Sequence, residues 1–323
     1  MKKVIAIIAG EPNSISSEII FKTWYLRKKF NHLPFFIVGS FSLLNLQAKK
    51  LKYGIKIKKI NEKFSFKDLR DNQLPVLNIN YEQKKPFQKI STKSSKYILN
   101  CFKETIKLIK KNKIYGFVNC PVSKEFLFKN KYKGITEFLS ELTKKQGKET
   151  MLIYNKKLSV CPITTHIPLK NVSKNLSKYK IINKVKIINN FYKRIFNKKP
   201  KLAILGLNPH NFSPSNKAEE KKIILPAIKA IKKLNIKVIG PISSDTSFMI
   251  RKKYKLDVIF GMYHDQVLSP FKALFEHKAI NITLGLPFIR VSPDHGIAYD
   301  IVGKNVANPK SLIESIKFFN SIK

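Results

Sequence analysis

The chain of 323 residues has a hydrophobic content of 43%, which is enough for a buried core and excludes a disordered protein. Its formal net charge of +43 comes almost entirely from lysines that are spread along the chain, whereas a nucleic-acid-binding face would cluster its charge and favour arginine. Cys101, Cys120 and Cys161 are far apart and odd in number, so they fit neither a disulfide framework nor a zinc ribbon and indicate a cytoplasmic protein.

Short apolar runs alternate with longer amphipathic ones, which predicts an α/β protein with a largely parallel sheet. The first run, VIAIIA, is too short for a signal peptide, and no run approaches the roughly 20 apolar residues that span a membrane. The predicted strands are 4–9, 35–38, 55–60, 76–79, 117–119, 151–154, 158–164, 202–207, 238–239, 258–262 and 280–284. The predicted helices are 16–29, 92–111, 137–146, 171–195, 218–234, 247–255 and 309–319.

Three of the six histidines come directly after the carboxyl end of a predicted strand, namely His166, His210 and His264. Ligands of open α/β sheets bind beyond these strand ends, so the three imidazoles could converge there. Neutral imidazoles suit zinc, cobalt or manganese and can leave one position open for substrate. Because the spacings carry no local signature, the alternative is that each histidine is a surface or hydrogen-bonded structural residue.

A second group of polar residues follows His264 and comprises Asp265, Lys272, Asn281 and Arg290. An arginine after an apolar stretch is suited to bidentate capture of a phosphate or carboxylate, and a lysine adds a point charge. The alternative for Lys272 is a surface lysine in a lysine-rich chain. For the whole chain, the alternative from another class is a basic nucleic-acid-binding protein without catalysis.

Eight stretches carry a resemblance to a known family: GEPNSISSEII, NCPVSKEFL, GITEFL, TTHIPLKNV, GLNPH, GPISSDTSF, GMYHDQVLSPFK and NITLGLPFIRVSPDHGIAYDIVG. They occur in the order and nearly the spacing of the 4-hydroxythreonine-4-phosphate dehydrogenases, which the chain resembles from about residue 4 to its C-terminus. The tail HGIAYDIVGKNVANP also resembles the cofactor loop of isopropylmalate and isocitrate dehydrogenases, whose fold this family shares.

The resemblance implies a two-domain α/β/α sandwich of the isopropylmalate dehydrogenase-like type, with mostly parallel sheets and an active site in the interdomain cleft. Residues 1–128 with 290–323 would form a cofactor-side domain, and residues 129–289 a metal-binding, substrate-binding and dimer-forming domain. The metal ligands would be His166, His210 and His264, in a site shared between the subunits of a homodimer. Zn, Mg, Co and Mn are the candidate metals.

Other roles are implied by the same resemblance, position by position. The substrate contacts fall on Thr136, Lys272, Asn281 and Arg290. The NAD or NADP contacts fall on His295, Gly296, Asp300 and Asn308, with a simple structural turn as the alternative for Gly296. Asp245 would act beside the metal in catalysis, together with Lys272, although Asp245 could instead be a helix N-cap.

The implied reaction is the oxidation and decarboxylation of 4-phosphooxy-L-threonine to 3-amino-2-oxopropyl phosphate and CO2, in pyridoxine phosphate biosynthesis. Three stretches depart from the family pattern. Ile135 stands where the family has a histidine, the loop GEPNSISSE lacks two glycines and a proline, and the segment NFSPSN after His210 lacks glycines. Because Ile135 cannot form hydrogen bonds, threonate or erythronate 4-phosphate is an alternative substrate.

Overall fold

The computed structural model describes residues 3–129, 131–132, 134–211 and 218–322, so most of the segment NFSPSN lies outside the described residues. The chain divides into two compact units. Unit 1 comprises Met1–Gly147 and Leu286–Ser321, and unit 2 comprises Lys148–Gly285 and Ile322–Lys323. The division into functional domains after residues 128 and 289 stays a prediction.

The described residues form strands and helices that alternate along much of the chain, as the sequence predicts for the α/β class. The strands are β1 (Ile5–Ile8), β2 (Phe35–Gly39), β3 (Ile57–Ile60), β4 (Leu74–Asn78), β5 (Gly116–Asn119), β6 (Thr150–Asn155), β7 (Leu158–Pro162), β8 (Leu202–Leu205), β9 (Val238–Ile242), β10 (Val258–Gly261), β11 (Ile280–Leu284) and β12 (Ile289–Pro293). The α-helices are α1 (Ser16–Leu26), α2 (Phe41–Lys50), α3 (Ser95–Lys110), α4 (Lys124–Phe128), α5 (Ile135–Leu142), α6 (Val172–Asn175), α7 (Lys178–Phe196), α8 (Leu225–Lys233), α9 (Ser244–Ile250), α10 (His264–Phe275) and α11 (Lys310–Asn320).

Unit 1 has a parallel sheet with the strand order β3, β4, β2, β1, β5, β12. Strand β1 lies inside this sheet, and all of its residues are buried. Both faces of such a strand are covered, which explains its unbroken apolar sequence. The core on one side of the sheet is rich in aromatic side chains, including Phe36, Phe102 and Phe117.

Unit 2 has the strand order β11, β6, β7, β10, β8, β9. The last four strands are parallel, and β6 is antiparallel to both of its neighbours. Only Lys156 and Lys157 connect β6 to β7, and a parallel crossover needs a dozen residues or more. The expectation of a largely parallel sheet is therefore confirmed, with this hairpin as the exception.

Several elements differ from the sequence-based expectation. The sequence patterns did not indicate α2, α4, α10 or β12. The polar start of the segment His264–Phe275 hides the amphipathic helix α10, and Arg290 and Ser292 interrupt the apolar run of β12. Within the part of the chain that the structure describes, no helix combines the length and the apolar character needed to cross a membrane.

Candidate active site

The three strands that precede the predicted metal ligands are neighbours in unit 2. Strand β10 lies between β7 and β8 and is parallel to both, with Gly261 opposite Pro162 and Phe260 opposite Ile204. His166, His210 and His264 follow β7, β8 and β10 by a few residues each. The carboxyl ends of adjacent parallel strands lie at one edge of a sheet, so all three histidine-bearing segments leave the sheet at the same edge.

Two of these imidazoles are close to each other. The ring centroids of His166 and His264 are 5.7 Å apart, with an angle of 42° between the ring planes. His264 is the first residue of α10, and its Nδ1 lies 2.8 Å from Oδ1 of Asp265. Imidazole nitrogens bind zinc at about 2.0–2.1 Å, so two rings at this separation could both reach one ion.

His210 has a different partner within the chain. Its backbone has a φ of 54°, in the left-handed region, and its Nδ1 lies 3.5 Å from Oδ2 of Asp245. Across the described ranges, no group of three or more His, Cys, Asp or Glu side chains is placed to hold a metal ion. The structure therefore pairs His166 with His264 and His210 with Asp245, and the metal-binding role of the three histidines stays a prediction.

Asp245 lies in the first turn of α9, one residue after the start of the helix at Ser244. The N-cap residue is Ser243, so the alternative interpretation of Asp245 as the N-cap is wrong. The neighbouring Ser243 hydroxyl lowers the pKa of Asp245, and so do the backbone N–H of Thr246 and the charge of His210. Asp245 is therefore an ionised carboxylate beside a predicted metal ligand, where such a group can orient an imidazole.

The two remaining predicted residues of unit 2 lie on regular elements. Lys272 is exposed in the last turn of α10, and Asn281 lies on β11 opposite Ile153. Oδ1 of Asn281 is buried and has no hydrogen-bond partner among the residues described. Buried polar atoms in folded proteins are nearly always paired, so this oxygen is suited to a ligand that donates a hydrogen bond.

Arg290 is the predicted anion-binding residue of unit 1. It lies on β12, is only 4% exposed, and donates a hydrogen bond of 2.6 Å from Nε to Oδ1 of Asn119 at the end of β5. Burial lowers the pKa of Arg290 to about 10, while the charge of Glu137 raises it. The guanidinium is therefore still charged at neutral pH. Because it is buried, the effective dielectric constant around it is lower than in water, and its attraction for an anion is stronger.

Lys124 and Glu137 are charged side chains that interact with Arg290, and Thr136 lies in the first turn of α5 beside Glu137 in the sequence. A Cβ added to Gly134 would lie 3.1 Å from Oε2 of Glu137 and 3.8 Å from Nζ of Lys124, so both side chains border the same small space. Desolvation lowers the pKa of Lys124, Glu137 raises it, and Arg290 lowers it further. Neither Lys124 nor Glu137 was a predicted site residue, although both lie in stretches that carry the family resemblance, NCPVSKEFL and GITEFL.

Ile135, which replaces a family histidine, is 5% exposed and belongs to the hydrophobic core of unit 1. Phe138 and Leu139 of the same helix belong to that core. At this position the chain therefore contributes to packing and supplies no hydrogen-bonding group.

The predicted cofactor residues lie in the segment between β12 and α11. A Cβ added to Gly296 would meet no atom within 4 Å, and the φ of Gly296 is not among the positive values, so its backbone does not require glycine. His295 Nδ1 lies 3.0 Å from the Gly296 carbonyl oxygen, and Asn308 Oδ1 accepts a hydrogen bond from the Lys310 N–H. Asp300 is exposed in a short 3-10 helix, and the cofactor roles of all four residues stay predictions.

Comparison with known proteins identifies the family. The family model described as pyridoxal phosphate biosynthetic protein PdxA matches residues 31–319. The chain belongs to this family. It is 40% identical to a 4-hydroxythreonine-4-phosphate dehydrogenase of Sulfurihydrogenibium sp., over 97% of this chain and 96% of that protein.

Two further relatives cover the chain almost completely. A solved structure from Salmonella typhimurium that carries the 4-hydroxythreonine-4-phosphate dehydrogenase name has a TM-score of 0.87 and 31% identity, over 100% of both chains. A protein of Oceanobacillus iheyensis named as a D-threonate 4-phosphate dehydrogenase is 30% identical, over 98% of this chain and 96% of that protein. The expected family and its α/β fold are thus confirmed.

Proposed function

We propose that this protein oxidises and decarboxylates 4-phosphooxy-L-threonine, with NAD or NADP as cofactor, in pyridoxine phosphate biosynthesis. The observation that carries the proposal is the pair of imidazoles of His166 and His264, 5.7 Å apart at the carboxyl edge of parallel strands, in a chain of the PdxA family. Their donor atoms suit a divalent metal such as zinc, cobalt or manganese, and the resemblance adds magnesium.

The reaction removes a hydride from the carbon that bears the substrate hydroxyl and a proton from the hydroxyl oxygen, which leaves a ketone. The bond between the α-carbon and the carboxylate then breaks and releases CO2. One proton adds to the remaining carbon, which gives 3-amino-2-oxopropyl phosphate. When bound, the divalent metal polarises the substrate hydroxyl, and the nicotinamide accepts the hydride. Neither group is a side chain, so the protein contributes binding, orientation and proton handling.

We assign these contributions to named side chains. Arg290 would bind an anionic group of the substrate, because its buried guanidinium offers fixed donors and keeps its charge. The unpaired oxygen of Asn281 would accept a hydrogen bond from the substrate. Asp245 would hold the His210 imidazole in the orientation that a metal ligand needs. Fixing the substrate in this way lowers the entropy cost of reaching the transition state.

We further propose that the protein is a homodimer and that the metal site draws ligands from both subunits. Support comes from the side chains themselves: within one chain, His166 lies beside His264, whereas His210 contacts Asp245. A second subunit could bring the separate pairs to one ion. Measuring the molar mass in solution with and without added metal tests the dimer.

A related substrate is the second candidate. Ile135 is buried in the core and offers no hydrogen bond where the family has a histidine, and one relative is named for D-threonate 4-phosphate. The proposed substrate site could therefore accept threonate or erythronate 4-phosphate, which carry a hydroxyl in place of the amino group.

One experiment separates these possibilities. The purified protein is incubated with NAD or NADP and, in turn, with 4-phosphooxy-L-threonine, threonate 4-phosphate and erythronate 4-phosphate, while reduced nicotinamide is monitored. Reduction with 4-phosphooxy-L-threonine that stops on addition of a chelator is the expected result. Reduction with a threonate or erythronate phosphate alone would support the second candidate. Salt-sensitive nucleic-acid binding without reduction of either cofactor would contradict both.

A further inference from the structure

The side-chain amide of Gln266 connects three segments at the carboxyl edge of the unit 2 sheet. Its Nε2 donates hydrogen bonds to the Gly206 carbonyl oxygen at 2.7 Å and to Ser244 Oγ at 2.6 Å. Its Oε1 accepts a hydrogen bond of 2.6 Å from the Met262 N–H. Gln266 is 8% exposed, and both of its amide hydrogens are used, so this side chain is fixed in one orientation.

Each of these three segments carries a residue of the proposed metal site. Gly206 follows β8 and precedes His210, Ser244 is adjacent to Asp245, and Met262 follows β10 and precedes His264. One amide therefore sets the spacing between three backbone segments that are distant in sequence.

The fourth segment joins the same network through Met262. Thr164, two residues before His166, donates to the Met262 carbonyl oxygen from its backbone N–H at 3.1 Å and from Oγ1 at 2.7 Å. The Met262 peptide groups are thus held by Gln266 on one side and by Thr164 on the other. All three histidine-bearing segments are linked by buried hydrogen bonds.

The local packing shows that this arrangement requires close approach. A Cβ added to Gly261 would lie 2.6 Å from Cγ1 of Val267 and 3.0 Å from Oε1 of Gln266. Glycine at the end of β10 therefore allows α10 to begin immediately beside the strand. This brings the Gln266 amide within reach of β8 and of α9.

We propose that Gln266 is a positioning residue for the metal site, an inference that rests on the proposed function. The side chains of His166 and His210 are exposed and are not packed in the core of unit 2. The orientation of their imidazoles then depends on the backbone segments that carry them. Residues that orient metal ligands typically change metal affinity about 10–100-fold when they are replaced.

A purely structural role is the competing explanation, because Gln266 is the third residue of α10 and accepts a hydrogen bond from a backbone N–H just before the helix, as in a capping box. Such a role would affect thermal stability alone. A positioning role also changes how the protein binds a metal, so metal binding distinguishes the two.

The chain offers a matched control in Gln47. This glutamine is 1% exposed, lies in unit 1, and donates hydrogen bonds from Nε2 to the carbonyl oxygens of Pro12 at 2.8 Å and Pro86 at 2.9 Å. Replacing Gln47 with Met likewise removes two amide N–H donors from a buried position, but one that is not part of the histidine network.

The experiment uses the full chain stripped of metal and titrated with Co²⁺. The affinity for Co²⁺ and the visible absorption spectrum of bound Co²⁺ are measured for the wild type and for four variants, Gln266→Met, Gln266→Glu, Ser244→Ala and Gln47→Met. The midpoint temperature of thermal unfolding is measured for each metal-free protein. We expect Gln266→Met to weaken Co²⁺ binding about 10–100-fold and to alter the spectrum. Ser244→Ala should weaken binding less, and Gln47→Met should change neither affinity nor spectrum.

Unchanged Co²⁺ affinity and spectrum in Gln266→Met, with a loss of thermal stability like that of Gln47→Met, would overturn the proposal. Should Gln266→Met not fold, Gln266→Glu and Ser244→Ala decide by the same criteria, because each keeps part of the network. A wild type that binds no Co²⁺, or a His264→Ala variant with full affinity, would overturn the metal site itself. That result differs from the failure of Gln266 alone.

Discussion

Arg290 Nε and Asn119 Oδ1 are 2.6 Å apart, and this hydrogen bond joins the buried strand β12 to the end of its neighbour β5. The bond fixes the plane of a guanidinium that is almost fully removed from solvent. An anion bound there would meet donors whose directions are already set, which a flexible lysine cannot provide.

Replacement of this arginine should therefore weaken catalysis. We expect Arg290→Lys to lose about 2–3 kcal/mol of transition-state stabilisation, roughly a hundredfold in kcat/KM, because the fixed fork and the bond to Asn119 are both lost. Steady-state kinetics with 4-phosphooxy-L-threonine give the value. Arg194→Lys, at an exposed position of α7, is the control and should retain wild-type kinetics. Equal activity of the two variants would contradict an anion-binding role.

His210 provides a test of the metal site that does not disturb the core. Its side chain is 78% exposed, so we expect His210→Ala to abolish turnover and to change the free energy of unfolding by no more than about 0.5 kcal/mol. Turnover and urea denaturation measure the two effects. His277→Ala, also at an exposed position of unit 2, should leave both unchanged. Full activity of His210→Ala would exclude a ligand role.

Glu11 should make stability depend on pH. This carboxyl is buried after β1, near Ser94 Oγ and the Asn13 N–H, and burial raises its pKa from 4.5 to about 7, although these two hydrogen bonds lower it. Because this pKa is higher in the folded state, protonated Glu11 contributes to the free energy of unfolding, and this contribution is complete below about pH 4.5. It is then lost as the pH rises through about 7.

We therefore expect the contribution of Glu11 to the free energy of unfolding to fall by about 3 kcal/mol between pH 4.5 and pH 8. Glu11→Gln should remove that dependence and should be more stable than the wild type at pH 8. Unfolding free energies from urea titrations at several pH values measure it. Glu125→Gln, at an exposed position, should follow the wild-type curve. Parallel curves for the wild type and Glu11→Gln would refute the assignment.

Ile135 offers a test of substrate choice. We expect Ile135→His to cost about 1–3 kcal/mol of stability, because a polar ring replaces a buried aliphatic side chain. If the new imidazole faces the substrate, kcat/KM for 4-phosphooxy-L-threonine should rise relative to that for threonate 4-phosphate. Ile135→Val keeps the apolar character and should leave this ratio unchanged. An unchanged ratio in Ile135→His would show that this position does not select the substrate.

Much of the fold could be predicted from local sequence because buried strands are short, continuous apolar runs. Residues 280–284 were predicted to form a strand, and β11 has these same bounds. Strand β12 is buried to a similar extent but was not predicted, because its buried charge at Arg290 is stabilised by Asn119, which lies 171 positions away in the chain. A local pattern cannot reveal a partner at that distance.

By itself, the sequence determined the α/β class, the family, and the placement of three histidines after strand ends. These properties depend on hydrophobic periodicity and on short motifs, which are local along the chain. Only the tertiary structure decided that β10 lies between β7 and β8, that His166 faces His264, and that Gln266 links their segments. Strand order and side-chain distances arise when distant segments pack against each other, so they depend on the whole chain and not on any one stretch of it.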